Sequence, residues 1–172
     1  MTNTMEAKPC SHSRTVKTAQ ILPPDANAYG TLFGGKLMAY IDDVAAIAAV
    51  RHSRQVSVTA STDSVDFINP VKIGDIVSVE GFVTATHNTS MEVFVKVTTE
   101  NLLTEDSNIC ATAFLTFVAL GENGRPTRVP PVYPETDIEK KLSEGAALRR
   151  ERRNERRKYS QEMAELFSND KE

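Results

Sequence analysis

The residues of this 172-residue chain that could do chemistry gather around one short stretch, Asn27-x-x-Gly30-x-x-Phe33-Gly34-Gly35, which runs into an apolar segment carrying Asp42 and Asp43. The spacing predicts a helix over Gly35 to Arg51, because Leu37, Ile41, Val44, Ala45 and Ala48 recur at intervals of three and four. Counting about 100° per residue from Leu37, that stripe centres near ~30°, Asp42 falls at about 140° and Asp43 at about 240°. Asp42 therefore borders the buried face beside Met38, Ala45 and Ala49, while Asp43 points away from it. A carboxylate at the margin of an apolar face, with small neighbours leaving room for a ligand, can serve as a base or a nucleophile. The glycine pair adds a second element of chemistry. Free backbone N–H groups at a helix start can hold a carbonyl oxygen as it turns negative, and glycine lets a substrate come that close. Spacing alone leaves a second reading open, with Asp42 a surface residue and Gly34-Gly35 a plain helix cap.

Other motifs lead nowhere. Gly30 to Lys36 has the glycine and lysine spacing of a phosphate loop, but Leu37 stands where a Ser or Thr should hold magnesium, and no apolar strand feeds the loop. There is no GxSxG elbow for a serine hydrolase. Cys10 and His12 lack a third and fourth ligand at metal spacing, so they read as incidental residues of a mobile terminus, and no metal or cofactor is expected.

These residues need elements to position them. Arg14 to Ile21 reads as a first strand, stopped by the turn-forming Pro23 to Gly30. After the helix, alternating residues predict strands over Val56 to Phe67, Ile76 to Thr86 and Met91 to Thr98, and Ile109 to Leu120, apolar on both sides, reads as a central strand packed on both faces. Short turns at His87-Asn88 and Thr104 to Asn108 favour an antiparallel meander, giving an α+β fold in which five strands wrap one slim, alanine-rich helix. The prolines at 126, 130, 131 and 134 end this unit. The expected organisation is a flexible arm over residues 1–13, a domain over 14–131 and a charged extension over 132–172. In the last of these, Ile138 to Lys158 holds nine Lys/Arg against four Asp/Glu, a net of +5 that leaves −8 for the rest. The extension is too charged to supply a core, so it reads as a solvated helix whose removal should change stability little. Glu151 and Glu155 interrupt its basic run and no aromatic interleaves it, so nucleic acid is not an expected partner. The longest apolar run, Val44 to Val50, is too short to cross a bilayer, and the start of the chain has no signal-peptide stretch. A cytoplasmic location with reduced thiols is expected.

The run from Asn27 through Gly30, Phe33, Gly34 and Gly35 to Asp42 resembles the signature of hotdog-fold acyl-CoA thioesterases, the brain acyl-CoA hydrolase type and its bacterial relatives. Val65-Asp-Phe67, Asn69-Pro-Val71, Gly74-Asp75, Thr89-Ser-Met-Glu92, Phe117-Val-Ala-Leu120 and Val129-Pro-Pro131 resemble that family in the same order. The resemblance implies a helix wrapped by an antiparallel sheet, edge-to-edge dimers and commonly a hexamer of three dimers. It implies hydrolysis of acyl-CoA to fatty acid and CoA. Asp42 would activate water or attack the carbonyl, the Gly35 N–H would stabilise the oxyanion, and Asn27 from the other subunit would orient water or thioester. It places Phe33, Gly34, Thr89, Ser90 and Met91 against the substrate, with Asn88 standing where many members carry glycine. A non-catalytic acyl-CoA sensor of the same fold is the alternative.

Overall fold

A computed structural model describes residues 5–169; the outermost parts of the expected N-terminal arm and charged extension lie outside the described residues. The strands β1 (Lys8–Pro9), β2 (Thr15–Gln20), β3 (Val56–Phe67), β4 (Ile76–Thr86), β5 (Ser90–Glu100), β6 (Ser107–Leu120) and β7 (Val132–Tyr133) are joined by helices α1 (Gly34–Ser53), α2 (Asp137–Glu144) and α3 (Ala146–Asn169). Five strands form one antiparallel sheet in the order β2-β4-β5-β6-β3. Only β4, β5 and β6 make the expected meander. β3 follows the helix but pairs with β6 at the far edge, so the chain crosses the sheet before β4 begins.

The core lies between the concave face of this sheet and α1. Val79 and Val83 of β4, Val93 and Val95 of β5, and Leu115 and Phe117 of β6 meet Leu37, Ile41, Val44, Ala45 and Ala48 of the helix. Period-two alternation sends these side chains to one face, and the helical stripe supplies the other. Gly81 lets the two approach: a Cβ there would fall 3.0 Å from a Val44 methyl and 3.2 Å from one of Val95. The helix ends at Arg54, whose left-handed backbone (φ 57°) returns its N–H to the Val50 carbonyl.

Two expectations about the flanking segments are corrected. Residues 8–13 are ordered into the fold rather than forming a flexible arm, because β1 pairs in parallel with β7, Cys10 is buried, and the buried Ser13 Oγ accepts the Val83 N–H at 2.8 Å. His12 is exposed, so it faces away from Cys10's burial site. The charged extension is helical, as expected, but one face of it is not solvated. After α2, which opens with a reciprocal Thr136–Glu139 cap, α3 lies on the convex face of the sheet. Arg149 pairs with the buried Glu92, and Arg153 and Arg156 both reach Asp63, itself 7% exposed.

Candidate functional site

The loop before α1 is shaped by Asn27. Its Oδ1 accepts the N–H groups of Tyr29 (2.9 Å) and Thr31 (3.2 Å), its Nδ2 donates to Thr31 Oγ1 (2.9 Å), and its carbonyl accepts from Gly30 (3.0 Å). Asparagine is suited to such a turn because its amide imitates a backbone group. Gly30 supplies the left-handed backbone (φ 74°) that the turn requires. The loop delivers the chain to Phe33, which caps the helix through its backbone: its carbonyl accepts from Lys36 (2.9 Å) and Leu37 (3.1 Å). Among the described residues, the N–H groups of Gly34 and Gly35 have no acceptor, as expected at the open end of a helix. The Phe33 ring, 59% exposed, lies over Gly35 so closely that a Cβ there would sit 2.6 Å from Cε1. Lys36 pairs with Asp25 at 3.4 Å, and this partner raises its pKa above the ordinary lysine value.

Two turns further along α1, the half-buried Asp42 faces β3, where Thr59 donates its hydroxyl proton to Oδ1 at 2.8 Å. The other carboxylate oxygen has no partner among the described residues. Asp43 points to solvent and pairs with Lys17 at 2.6 Å, matching the placement that helical periodicity gives the two acids. Thr59 is the site residue that sequence reasoning misses. It sits in an edge strand whose register shifts between Thr59 and Ser61, which spoils the alternation that would have marked it as facing the helix.

Asn27, Gly35 and Asp42 are joined by no hydrogen bond among the described residues. Gly35 and Asp42 lie seven residues apart on one helix face, about 10 Å along the axis. Groups that act on a single carbonyl must each come within about 3 Å of it. Such a separation fits a site in which the two groups come from different copies of the helix.

The Thr89-Ser90-Met91 segment divides. At the hairpin turn the His87 N–H donates to the Ser90 carbonyl (2.8 Å), and Asn88 is not left-handed there, so the turn closes without needing glycine at that position. Thr89 and Ser90 line an open cleft under α3. Met91 turns inward and is fully buried in the core, so its side chain does not share that cleft.

A five-stranded antiparallel sheet wrapped on one helix, with an acid on that helix and open amides at its start, defines the hotdog thioesterase class. Residues 29–105 match the family model of the thioesterase superfamily. The uncharacterized acyl-CoA thioester hydrolase YkhA of Bacillus subtilis is 49% identical over 168 residues, 98% of each chain. An acyl-CoA hydrolase of Staphylococcus aureus, solved with butyryl-CoA, CoA and CoA disulfide, superimposes with a TM-score of 0.90 at 43% identity, covering 94% of this chain and 99% of that one. A hexameric acyl-CoA thioesterase solved without ligand gives 0.86 at 49% identity, covering 88% and 97%. This chain belongs to the hotdog-fold acyl-CoA thioester hydrolases. The Staphylococcus aureus enzyme has also been solved as variants with one aspartate, one asparagine or one threonine replaced by alanine.

Proposed function

We propose that this protein hydrolyses acyl-CoA thioesters to a fatty acid and free CoA in a site assembled from two copies of the chain. The observation that carries the reading is the Thr59–Asp42 hydrogen bond, which fixes the carboxylate by one oxygen and leaves the other available. That oxygen either takes a proton from water as the water attacks the carbonyl carbon, or attacks the carbon itself and forms an anhydride that water then opens. In both routes the carbon–sulfur bond breaks and CoA leaves as a thiolate that takes up a proton. The Gly35 N–H from the partner copy holds the oxyanion, and Asn27 of that copy orients water or thioester. Phe33 and Gly34 shape the entrance, and Thr89 and Ser90 face the CoA moiety.

The aspartate, asparagine and threonine chosen for substitution in the Staphylococcus aureus enzyme are the residue types of Asp42, Asn27 and Thr59. Self-association fits the surface. The edge strand β3 exposes Val56 (69%) and Val58, and α1 exposes Ile47 and Val50, an apolar edge that pairing with a second copy would cover. A hexamer, as in the solved relative, is the assembly we infer, and no helix among the described residues is long and apolar enough to cross a membrane. We place the enzyme in the cytoplasm.

The test is free-thiol release from acyl-CoAs of graded chain length, with the Asp42→Ala variant beside the parent. Release by the parent that falls at least ~10²-fold in the variant, with folding intact, is expected of a lost base or nucleophile. Tight acyl-CoA binding without thiol release by the parent would instead mark a sensor.

A further inference from the structure

The direction in which α3 crosses the convex face of the sheet is recorded by its arginines. Arg149 reaches Glu92 of β5, Arg153 reaches Thr116 of β6, and Arg156 reaches Ser61 and Asp63 of β3. Two turns thus carry the helix over three strands, and β3 is the edge of the sheet. The helix nevertheless continues to Asn169, and the nine residues after Ser160 add about 14 Å to it.

The composition changes where the sheet ends. Counting about 100° per residue, Met163 and Phe167 fall within about 20° of Arg156, on the face turned to the sheet, and Tyr159 and Leu166 lie roughly 60° to 80° to one side. Arginines that meet buried carboxylates give way to an apolar stripe. Phe167 shares the direction of those arginines, yet it is 74% exposed, so no strand of this copy lies beneath it. Among the described residues, no side chain from Arg157 to Asn169 makes a hydrogen bond or ion pair with another element.

A second copy offers the matching surface. Val56 and Val58 of β3 pair with Leu120 and Val118 of β6, and paired residues share a face of the sheet. Val118 lines the cleft under α3, so all four point to the convex side. Pairing two β3 edges satisfies backbone groups but leaves these side chains open beside the line where the two sheets join. The end of a partner's α3, running across that line, covers them. By two-fold symmetry each copy gives one such contact and receives one.

We infer that the apolar end of α3, through Tyr159, Met163, Leu166 and Phe167, docks on the convex face of a second copy across the β3 edge, against its Val56 and Val58. The inference rests on the self-association through β3 read above, and it adds a side-chain contact that strand pairing does not supply.

Sedimentation velocity on the full-length protein tests it. Met163→Glu with Phe167→Glu puts two charges into the contact and is expected to raise the dissociation constant of the β3-paired dimer at least about tenfold. Gln161→Glu with Ser168→Glu adds the same charge on the opposite side of the helix and should leave that constant unchanged. The stripe is no part of this copy's core, so the fold is retained. When the single variants Val58→Cys and Phe167→Cys are mixed, a short bismaleimide is expected to join the two positions between chains, mapped by mass spectrometry, because Cys10 and Cys110 are buried. Hexamers that fall only to intact dimers would put the stripe at another contact and overturn its placement at β3. Assembly indifferent to the charges, with loss of binding to anionic lipid vesicles, would give the stripe to a membrane surface and overturn the inference, as would indifferent assembly without the cross-link. A parent that stays monomeric would overturn the self-association itself, a result distinct from an assembled parent that ignores the stripe.

Discussion

Arg149, in the first turn of α3, grips Glu92 of β5 with two parallel bonds, Nε to one carboxylate oxygen at 2.9 Å and Nη2 to the other at 2.8 Å. The guanidinium carbon also lies 4.0 Å from the centre of the Phe114 ring. Glu92 is 5% exposed in its side chain, and its only other side-chain partner among the described residues is Thr84. Removing Arg149 leaves a carboxylate in a site water barely reaches, which costs roughly 3 kcal/mol or more. Arg149→Ala is therefore expected to lower the urea midpoint clearly. A paired apolar replacement, Arg149→Met with Glu92→Met, should recover much of the loss. Truncation after Val132 should cost at least as much as Arg149→Ala, the reverse of what charge composition suggests. Denaturation of the four proteins side by side decides it.

The tail misleads because an arginine's long-range partner leaves no local trace. Glu92 and Thr116 alternate with core residues and Asp63 sits among polar residues of β3, so all three read as the wet face of a half-buried sheet, while nine basic residues read as a helix needing water. Each pattern is locally correct, and only the tertiary structure pairs the two surfaces. The parts carried by periodicity were legible: the α1 stripe, the opposite exposure of Asp42 and Asp43, and the strand limits, β4 over Ile76–Thr86 among them. Thr59 was hidden by the β3 bulge, and the pairing of β3 with β6 by the absence of any local signal for sheet order. The Asn27-x-x-Gly30 spacing, read first for chemistry, is also a turn with its own hydrogen-bond logic.

His52 makes stability depend on acid. It is fully buried, its Nε2 lies 2.8 Å from the Pro130 carbonyl, and its Nδ1 has no partner among the described residues. The carbonyl requires a proton on Nε2, so the neutral ring leaves a bare lone pair on Nδ1, and a second proton would have no acceptor. Burial holds its pKa below the usual histidine value. The unfolded chain then binds a proton that the folded chain refuses. The contribution of His52 is thus complete above about pH 6.5 and lost as pH falls below it, by up to about 1.4 kcal/mol per pH unit. Denaturant unfolding at pH 7, 6 and 5 should show this slope in the parent and a shallower one in His52→Gln. Parallel slopes would exclude His52 as the source.

Thr59→Val removes the donor to Asp42 while preserving shape, so the carboxylate loses its fixed orientation. Hydrolysis should fall by about tenfold or more in kcat, well short of the loss from Asp42→Ala, with thermal stability little changed. Asp43→Ala removes only an exposed ion pair, worth under about 1 kcal/mol, and should leave the rate near that of the parent. A silent Thr59→Val would mean that the hydrogen bond is structural.

Gly35→Ala separates stability from activity. Alanine is the better helix former, by less in this first turn than the ~1 kcal/mol of a helix interior, and the atom it would strike is the exposed Phe33 ring, which can swing aside. The variant should melt at or slightly above the parent's temperature. It should nevertheless hydrolyse poorly, because the methyl group and the displaced ring crowd the amides to which a carbonyl oxygen must come close. Full activity in a folded Gly35→Ala protein would move the oxyanion donor elsewhere.

The separation of Gly35 from Asp42 carries the last prediction. If one site takes its acid from one copy and its amides and Asn27 from another, then Asn27→Ala and Asp42→Ala damage different halves of it. A mixed dimer of the two inactive variants holds one site with both lesions and one with neither. Random exchange at equal input makes about half the dimers mixed, so about a quarter of the native sites return, by the two-fold symmetry of such an interface. Thiol release should rise from near zero to about that fraction after the variants are mixed and exchange is verified by mass spectrometry. Proven exchange without recovery would put both residues in one copy's site.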